Sequence, residues 1–395
     1  MASMRERFIR VMREGDVSKG FPIIEWAPFW HLTLENWKEQ GLPAQAHRNL
    51  HKSLGLEDHR QAWIPAITGD TLKLTHDGAP IVRDEKGYEE ALPTLYPEVV
   101  FDPLEMEKRA KLQTKGTAIL WLTLDGPFWF PRILLGVEPH MYAFFEKPDL
   151  MKRINRDLTE FNIRAIETIC RFYRPDFMTF AEDMSYNHGP MISRALFDEF
   201  MAPYYREMVP VLKKYDIIPM VDSDGDVEPI IPWFESVGVE GILPLERMAG
   251  VDVTRIRRNH PNWKMIGGFD KMVMHLGEKA MRAEFQRIKP AVLAGRYIPS
   301  VDHQTPPDVT LENYKLYVRL LREFSDEVAR ESRPVESRKA KRGPSKAKRV
   351  KPATVRPSRT KKTRTVLRKT GKPKSGNAAS RRGTARRKPK RRSSA

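Results

Sequence analysis

The chain has 395 residues, 40% hydrophobic and 9% aromatic, enough to bury the core of one large α/β domain. Of its 69 Lys and Arg, 25 fall in residues 337–395 together with none of the 51 Asp and Glu; residues 1–336 therefore hold 44 basic against 51 acidic side chains, a net of −7, and the overall +18 says nothing about polyanion binding by the body. A single cysteine, Cys170, excludes an intramolecular disulfide framework and any zinc site built on two thiolates, and fits a reducing, cytoplasmic setting.

The opening MASMRERFIRVMREGD reads as an amphipathic helix without the apolar stretch of a signal peptide. FPIIEWAPFW follows as a strand stopped by Pro28, then a helix around Leu32–Gln40. Between Pro43 and Pro97 the pattern is weak and conceals one strand. From Thr117 a regular alternation begins, with strands expected at Ala118–Leu124, Phe177–Ala181, Ile217–Val221, Gly241–Leu245, Lys264–Gly268 and Arg296–Ser300, each followed by a helical stretch. In one of these helices Met151, Ile154, Leu158, Phe161, Ala165, Ile166 and Ile169 form the buried stripe, and Cys170 falls in the same pattern as a structural residue rather than a nucleophile.

Short apolar strands alternating with helices imply parallel pairing through right-handed crossovers, and eight such units predict a single (β/α)8 barrel over residues 1–330. An open doubly wound sheet is the runner-up, weakened because no G-x-G-x-x-G or G-x-x-x-x-G-K-[ST] follows a strand. The most apolar window, TAILWLTLDGPFWFPRILLG, is broken by Asp125, Pro127, Pro131 and Arg132 and cannot span a bilayer. Residues 331–395 lack aromatic side chains and predict a disordered basic tail. Its charge predicts sequence-independent binding of DNA or RNA through residues 337–395, and with it a nucleoid-associated location.

In a parallel barrel the residues just after each strand share one mouth. Here they are Glu182 and Asp183, Asp222 and Asp224, Glu246 and Arg247, Asp270 and Lys271, and Asp302 and His303, with Asp125 a further candidate. So many carboxylates must hold protons, pair with cations or bind a metal. Asp222-Ser-Asp224-Gly-Asp226 resembles the start of a calcium loop but has Gly225 at position 4 and Trp233 at position 12, which excludes an EF-hand. Asp222, Asp224 and His303 form a carboxylate-rich set with one imidazole, suited to Zn2+, Mn2+ or Fe2+, although one of the two aspartates could instead cap the following helix. Trp26 and Trp30 could wall an apolar pocket or simply pack the core, and Tyr186 and His188 lie on a loop within reach of a substrate. Gly189-Pro190 and Ser193 read as a turn and a helix cap, and Gly267-Gly268 as a point of close backbone approach.

The strings AEDMSYNHGPMISRALFDEFMAPYYREMVPVLKKY, MVDSDGDV, PIIPWFESVGVEGILPLE, MIGGFDK and YIPSVDHQTPPDVTLENY together resemble the uroporphyrinogen decarboxylase superfamily, best over residues 117–325. That resemblance implies a (β/α)8 barrel and either a cofactor-free decarboxylase of a carboxylated tetrapyrrole or a zinc-dependent methyltransferase serving a corrinoid carrier; barrels of this kind commonly form homodimers. The decarboxylases carry Arg-Gln-Ala-Gly-Arg after the first strand, where this sequence has APFWHLTLENW without an arginine, and a Phe-Ser-Asp motif that is missing here. The methyltransferases carry His-x-Cys where this sequence has Asp222 and Asp224, and a later Cys near Asp302 and His303. An acidic mouth would also repel a polycarboxylate porphyrinogen. The expectation is therefore a metal-assisted methyltransferase in which Asp222, Asp224 and His303 hold the metal, Glu182 or Asp183 is the orienting base, Trp26, Trp30, Tyr186 and Asp270 contact a small-molecule substrate, and the corrinoid rides on a partner protein. A non-enzymatic scaffold acting through its basic tail is the third reading.

Overall fold

The structure is a computed structural model that describes residues 2–43, 50–72 and 80–333. Seven parallel strands form one sheet in sequence order: β1 (His59–Ile64), β2 (Ile119–Asp125), β3 (Phe177–Ala181), β4 (Ile218–Asp222), β5 (Gly241–Leu243), β6 (Lys264–Phe269) and β7 (Tyr297–Val301). All seven residues of β2, five of β3 and six of β6 are buried, because helices cover the outer face of a curled parallel sheet and its inner face is turned toward the core.

The connecting helices follow their apolar periodicity. The helix Pro148–Ile169 starts on a proline, whose missing N–H is harmless in a first turn, and buries the stripe from Met151 to Ile169 expected above. Each Leu, Ile or Phe so buried contributes about 1.5–3 kcal/mol. Cys170, half-buried at its end, has its thiol pushed up to about 12 by burial, as a packing residue would. Ser193 caps the helix Arg194–Phe200 by accepting from Leu196 N at 3.3 Å. Gly189-Pro190 pairs with Ser185–Tyr186 in a two-stranded hairpin.

The helix Met4–Ile9, closed at its start by reciprocal Ser3 and Glu6 bonds, plugs the end of the sheet where the strands begin, here termed the foot. Phe8 packs on Phe177 with ring centroids 5.5 Å apart, Arg5 pairs with Asp176 at 2.7 Å, and Val11 O accepts from Arg296 N at 3.1 Å.

One expected strand is not one. The stretch FPIIEWAPFW makes no ladder, so among the described residues the parallel sheet has seven strands, including β1 from the region where the sequence pattern is weak. Residues 21–27 instead lie between β1 and β7 through mixed bonds. Ile23 O accepts from Glu57 N at 2.8 Å, Trp26 N donates to Ser300 Oγ at 3.3 Å, and Trp26 Nε1 donates to Val301 O at 2.7 Å. The reason is local chemistry: Pro22 and Pro28 offer no N–H, and the Glu25 carboxyl, which accepts from Ser300 Oγ at 2.5 Å, also approaches Val301 N at 3.5 Å, a backbone donor that a ladder would use.

Candidate active site

The strand C-termini deliver their polar residues to one mouth. A ligand atom from each of Asp224, after β4, Glu246, after β5, and His303, after β7, lies within 4.8 Å of the others, and all three side chains are half-buried. Nε2 of His303 is 3.5 Å from Oδ2 of Asp224. Glu246 Oε2 accepts from Gly225 N at 2.9 Å, which ties the β5 loop to the β4 loop. Leu245, next to Glu246, has φ +71, and Asp183 has φ +43; left-handed backbone at non-glycine residues costs energy and concentrates at functional sites.

The electrostatics follow from crowding. Asp183 is half-buried beside Asp224, whose N–H approaches Asp183 Oδ1 at 3.4 Å; burial first, and the Asp224 charge second, push its carboxyl up to about 6. Asp222, at the inner edge of the mouth, is pushed well above the usual carboxylate range by burial and by Asp183 and Asp224. His303 is raised by its pairing with Asp224 against the opposing effect of burial. Asp302 is fully buried and accepts from Arg247 N at 2.9 Å and Lys271 N at 3.1 Å; burial still raises it. The Lys271 ammonium lies 3.5 Å from Asp302 Oδ1 and 3.9 Å from Glu246 Oε1, the cation nearest the three-residue cluster among these pairs.

The sequence-selected residues divide accordingly. Asp224 and His303 lie together, and their third neighbour is Glu246 rather than Asp222, because Asp222 is the last residue of its strand while Asp224 sits on the loop beyond Ser223. Ser223 is buried and accepts from Met184 N at 3.1 Å. Asp183 lines the mouth, whereas Glu182 is sealed from solvent: Oε2 accepts from Phe128 N at 2.8 Å and Trp129 N at 3.1 Å, Oε1 accepts from Tyr205 OH, and burial lifts the carboxyl to about 8. Asp125 is likewise buried and accepts from Ala66 N at 3.1 Å.

Trp26 stands edge-on to His303 with ring centroids 6.3 Å apart. Asp270 spends its carboxylate capping the short helix Lys271–Leu276 at Met272 N, 2.9 Å. Trp30 is exposed before its helix and Tyr186 is exposed on the short hairpin; the Tyr186 backbone rests on Gly225, accepting from Asp226 N at 2.9 Å, which sets the hairpin against the β4 loop. His188 is exposed beside Tyr186. The close approach expected at Gly267-Gly268 is to backbone: a Cβ on Gly267 would lie 2.1 Å from Pro244 O. Glu246 and Lys271 are legible as mouth residues in the sequence, but nothing there marks one as a ligand-set member and the other as its neighbouring cation.

One imidazole nitrogen and two carboxylate oxygens at this separation fit the donor preferences of zinc, manganese or iron, so the residues present fit a divalent metal. A carboxyl near 6 beside them can give or take a proton at neutral pH.

No helix among the described residues is long and apolar enough to cross a membrane. Among solved structures the chain is similar to a methyltransferase from Methanosarcina mazei, with 18% identity, a TM-score of 0.56, and coverage of 82% of this chain and 99% of that one. A Flavobacterium johnsoniae chitobiase aligns at 10% identity over 79% of this chain and 53% of its own, with a TM-score of 0.34, too distant to bear on the site. No curated protein matches. The profile of the uroporphyrinogen decarboxylase (URO-D) family matches residues 102–324, which include β2 through β7 and every member of the Asp224, Glu246, His303 cluster, and the chain therefore belongs to that family.

Proposed function

We propose that this protein is a metal-assisted methyltransferase of the URO-D superfamily, working with a corrinoid carried on a separate protein. The observation that carries the reading is the convergence of Asp224, Glu246 and His303 within 4.8 Å at the strand mouth. These three would hold the ion. A bound zinc or similar cation supplies Lewis-acid activation of the methyl donor or acceptor.

The remaining work belongs to the chain. Asp183 is the proton-handling group, because its carboxyl is half-ionised near pH 6 and faces the cluster. Asp222 stays protonated behind it and limits repulsion at the floor. Trp26 orients His303 and shields it from water. Residues 21–27 act as the eighth stave that closes a barrel over residues 1–330, with Glu182 as an internal support rather than a base. The crowd of carboxylates weighs against decarboxylation of a polyanionic tetrapyrrole.

The test is metal content by mass spectrometry on the purified full chain, together with methyl transfer from methylated amines, ethers or thiols to a free cobalamin acceptor. Stoichiometric metal, lost with methyl transfer in Asp224→Ala, Glu246→Gln and His303→Ala, is the expected result. A chain that binds no metal and methylates no corrinoid, but releases carbon dioxide from a carboxylated tetrapyrrole, would replace this reading with the decarboxylase.

A second activity is favoured by the 25 Lys and Arg without an acid in residues 337–395, which lie outside the described residues: this segment binds nucleic acid by releasing counterions, without sequence preference. Removing residues 337–395 is expected to abolish duplex binding and leave methyl transfer unchanged.

A further inference from the structure

The body gathers a carboxylate-rich group and a mainly basic group at different places. The mouth carries Asp183, Asp222, Asp224, Glu246 and Asp302, whereas the foot opens into a cavity of about 710 Å3 whose lining includes Arg7, Lys19, Arg322, Arg330 and Arg333. This cavity lies beside the N-terminal helix, with Ile23 and Glu57 on its wall, and Glu57 comes just before β1. Two acids share the lining. Glu57 is already engaged by Arg7 and by Ile23 N at 2.7 Å, so it cancels one guanidinium and no more. Asp326 stands between Arg322 and Arg330 on the same stripe of the helix Leu311–Glu331, leaving Lys19, Arg322, Arg330 and Arg333 in excess over it.

The arrangement suits a chain of phosphates rather than one ion. Arg322 and Arg330 are two steps of four residues apart on one helix face, about 12 Å along the axis at roughly 1.5 Å per residue. That distance covers three or four phosphates of a nucleic-acid strand at roughly 3.4 Å per phosphate. Lys19, Arg322, Arg330 and Arg333 are all exposed, and Lys19 and Arg330 enter no ion pair or hydrogen bond among the described residues.

We infer that the foot of the body is a contact surface for the phosphodiester backbone of nucleic acid, on the side of the molecule away from the acidic mouth. The inference rests on the reading of residues 337–395 as a nucleic-acid-binding segment and extends it to the folded body. Binding at the foot leaves the mouth open, so substrate access and nucleic-acid contact do not compete. Because the contacts are to phosphate, DNA and RNA are both candidates.

The experiment is fluorescence anisotropy of a labelled duplex DNA and of an RNA of the same sequence against the full chain, from low to moderate salt, for wild type and Lys19→Glu/Arg330→Glu. Neither side chain forms a hydrogen bond or close ion pair in the fold, and Arg330 acts on Glu327 through charge alone, so the variant is expected to stay folded with a melting temperature only slightly below wild type, which thermal unfolding checks before binding is compared. Each phosphate contact contributes about 0.9 to the slope of log affinity against log salt on duplex DNA and about 0.7 on single strands. The variant is therefore expected to show a slope shallower by one to two, with DNA, with RNA or with both, and the responding nucleic acid identifies the source. A wild type that binds with the same slope as the variant overturns the foot and leaves the tail reading standing. A wild type that binds neither nucleic acid overturns both.

Discussion

His303 and Asp224 face each other across the mouth from strands that are not neighbours: Nε2 and Oδ2 are 3.5 Å apart, yet β5 and β6 stand between β4 and β7. In a flat sheet three strand spacings of about 4.8 Å would hold them roughly 14 Å apart. Curvature of the sheet and the lift of the β4 loop close that gap, and Glu246, from the loop after β5, completes the cluster.

Metal affinity should rise with pH. Asp224 holds His303 above its ordinary 6.5, and a metal takes the neutral imidazole, so below that raised value binding must displace a proton and above it none. Zinc titrations by calorimetry between pH 6 and 8.5 are expected to show increasing affinity with proton release that fades at the upper end. Losing an outer-shell partner of a metal costs about 10–100-fold, and His303→Ala, which would remove a proposed direct ligand, should cost at least that much and flatten the pH dependence.

Glu25 should make the fold less stable in alkali. Its carboxyl is fully buried and burial raises it to about 8 in the folded state against 4.5 as a free group, so the folded chain holds a proton that the unfolded chain has released. Stability is therefore complete at acid pH and falls as pH rises from about 4.5 through 8. Glu25→Gln mimics the protonated form and should remove that part of the fall, on the order of 2 kcal/mol or more between pH 5.5 and 8.5 in urea unfolding. The fall owed to Glu182, also near 8, should persist in the variant.

Lys271 and Asp302 should behave as a coupled pair. Lys271→Met would leave the fully buried Asp302 with only its two backbone donors, at a cost of about 3 kcal/mol. Combining it with Asp302→Asn should recover only part of the loss, since no buried charge remains but the amide NH2 then faces one of the two backbone N–H donors. A double-mutant cycle by denaturant unfolding measures the coupling.

Gly126→Ala tests the seat of Glu182. A Cβ there would lie 2.2 Å from Glu182 Cδ, and that carboxyl cannot retreat because Phe128 N, Trp129 N and Tyr205 OH hold it. We expect a loss of about 1–3 kcal/mol, seen as a lower melting temperature.

Much of the scaffold is written in local sequence. A strand buried on both faces must be a continuous apolar run, so AILWLTL, FMTFA and MIGGF disclose β2, β3 and β6 without reference to anything distant, and the apolar stripe from Met151 to Ile169 discloses its helix by spacing alone. The convergence of polar residues at the strand ends follows from parallel pairing and is legible for the same reason. What local sequence could not decide was which groups meet. FPIIEWAPFW has the composition of a strand, but its hydrogen-bonding partners were taken by Glu25 and Ser300, residues from opposite ends of the body. Glu182 and Asp183 are adjacent in the chain and alike in charge, yet one is sealed under Gly126 and the other lines the mouth, because successive residues leave a strand end in opposite directions. The choice of Glu246 over Asp222 as the third member of the cluster depends on the curl of seven strands and the height of two loops, quantities set by packing across the whole sheet and carried by no single segment.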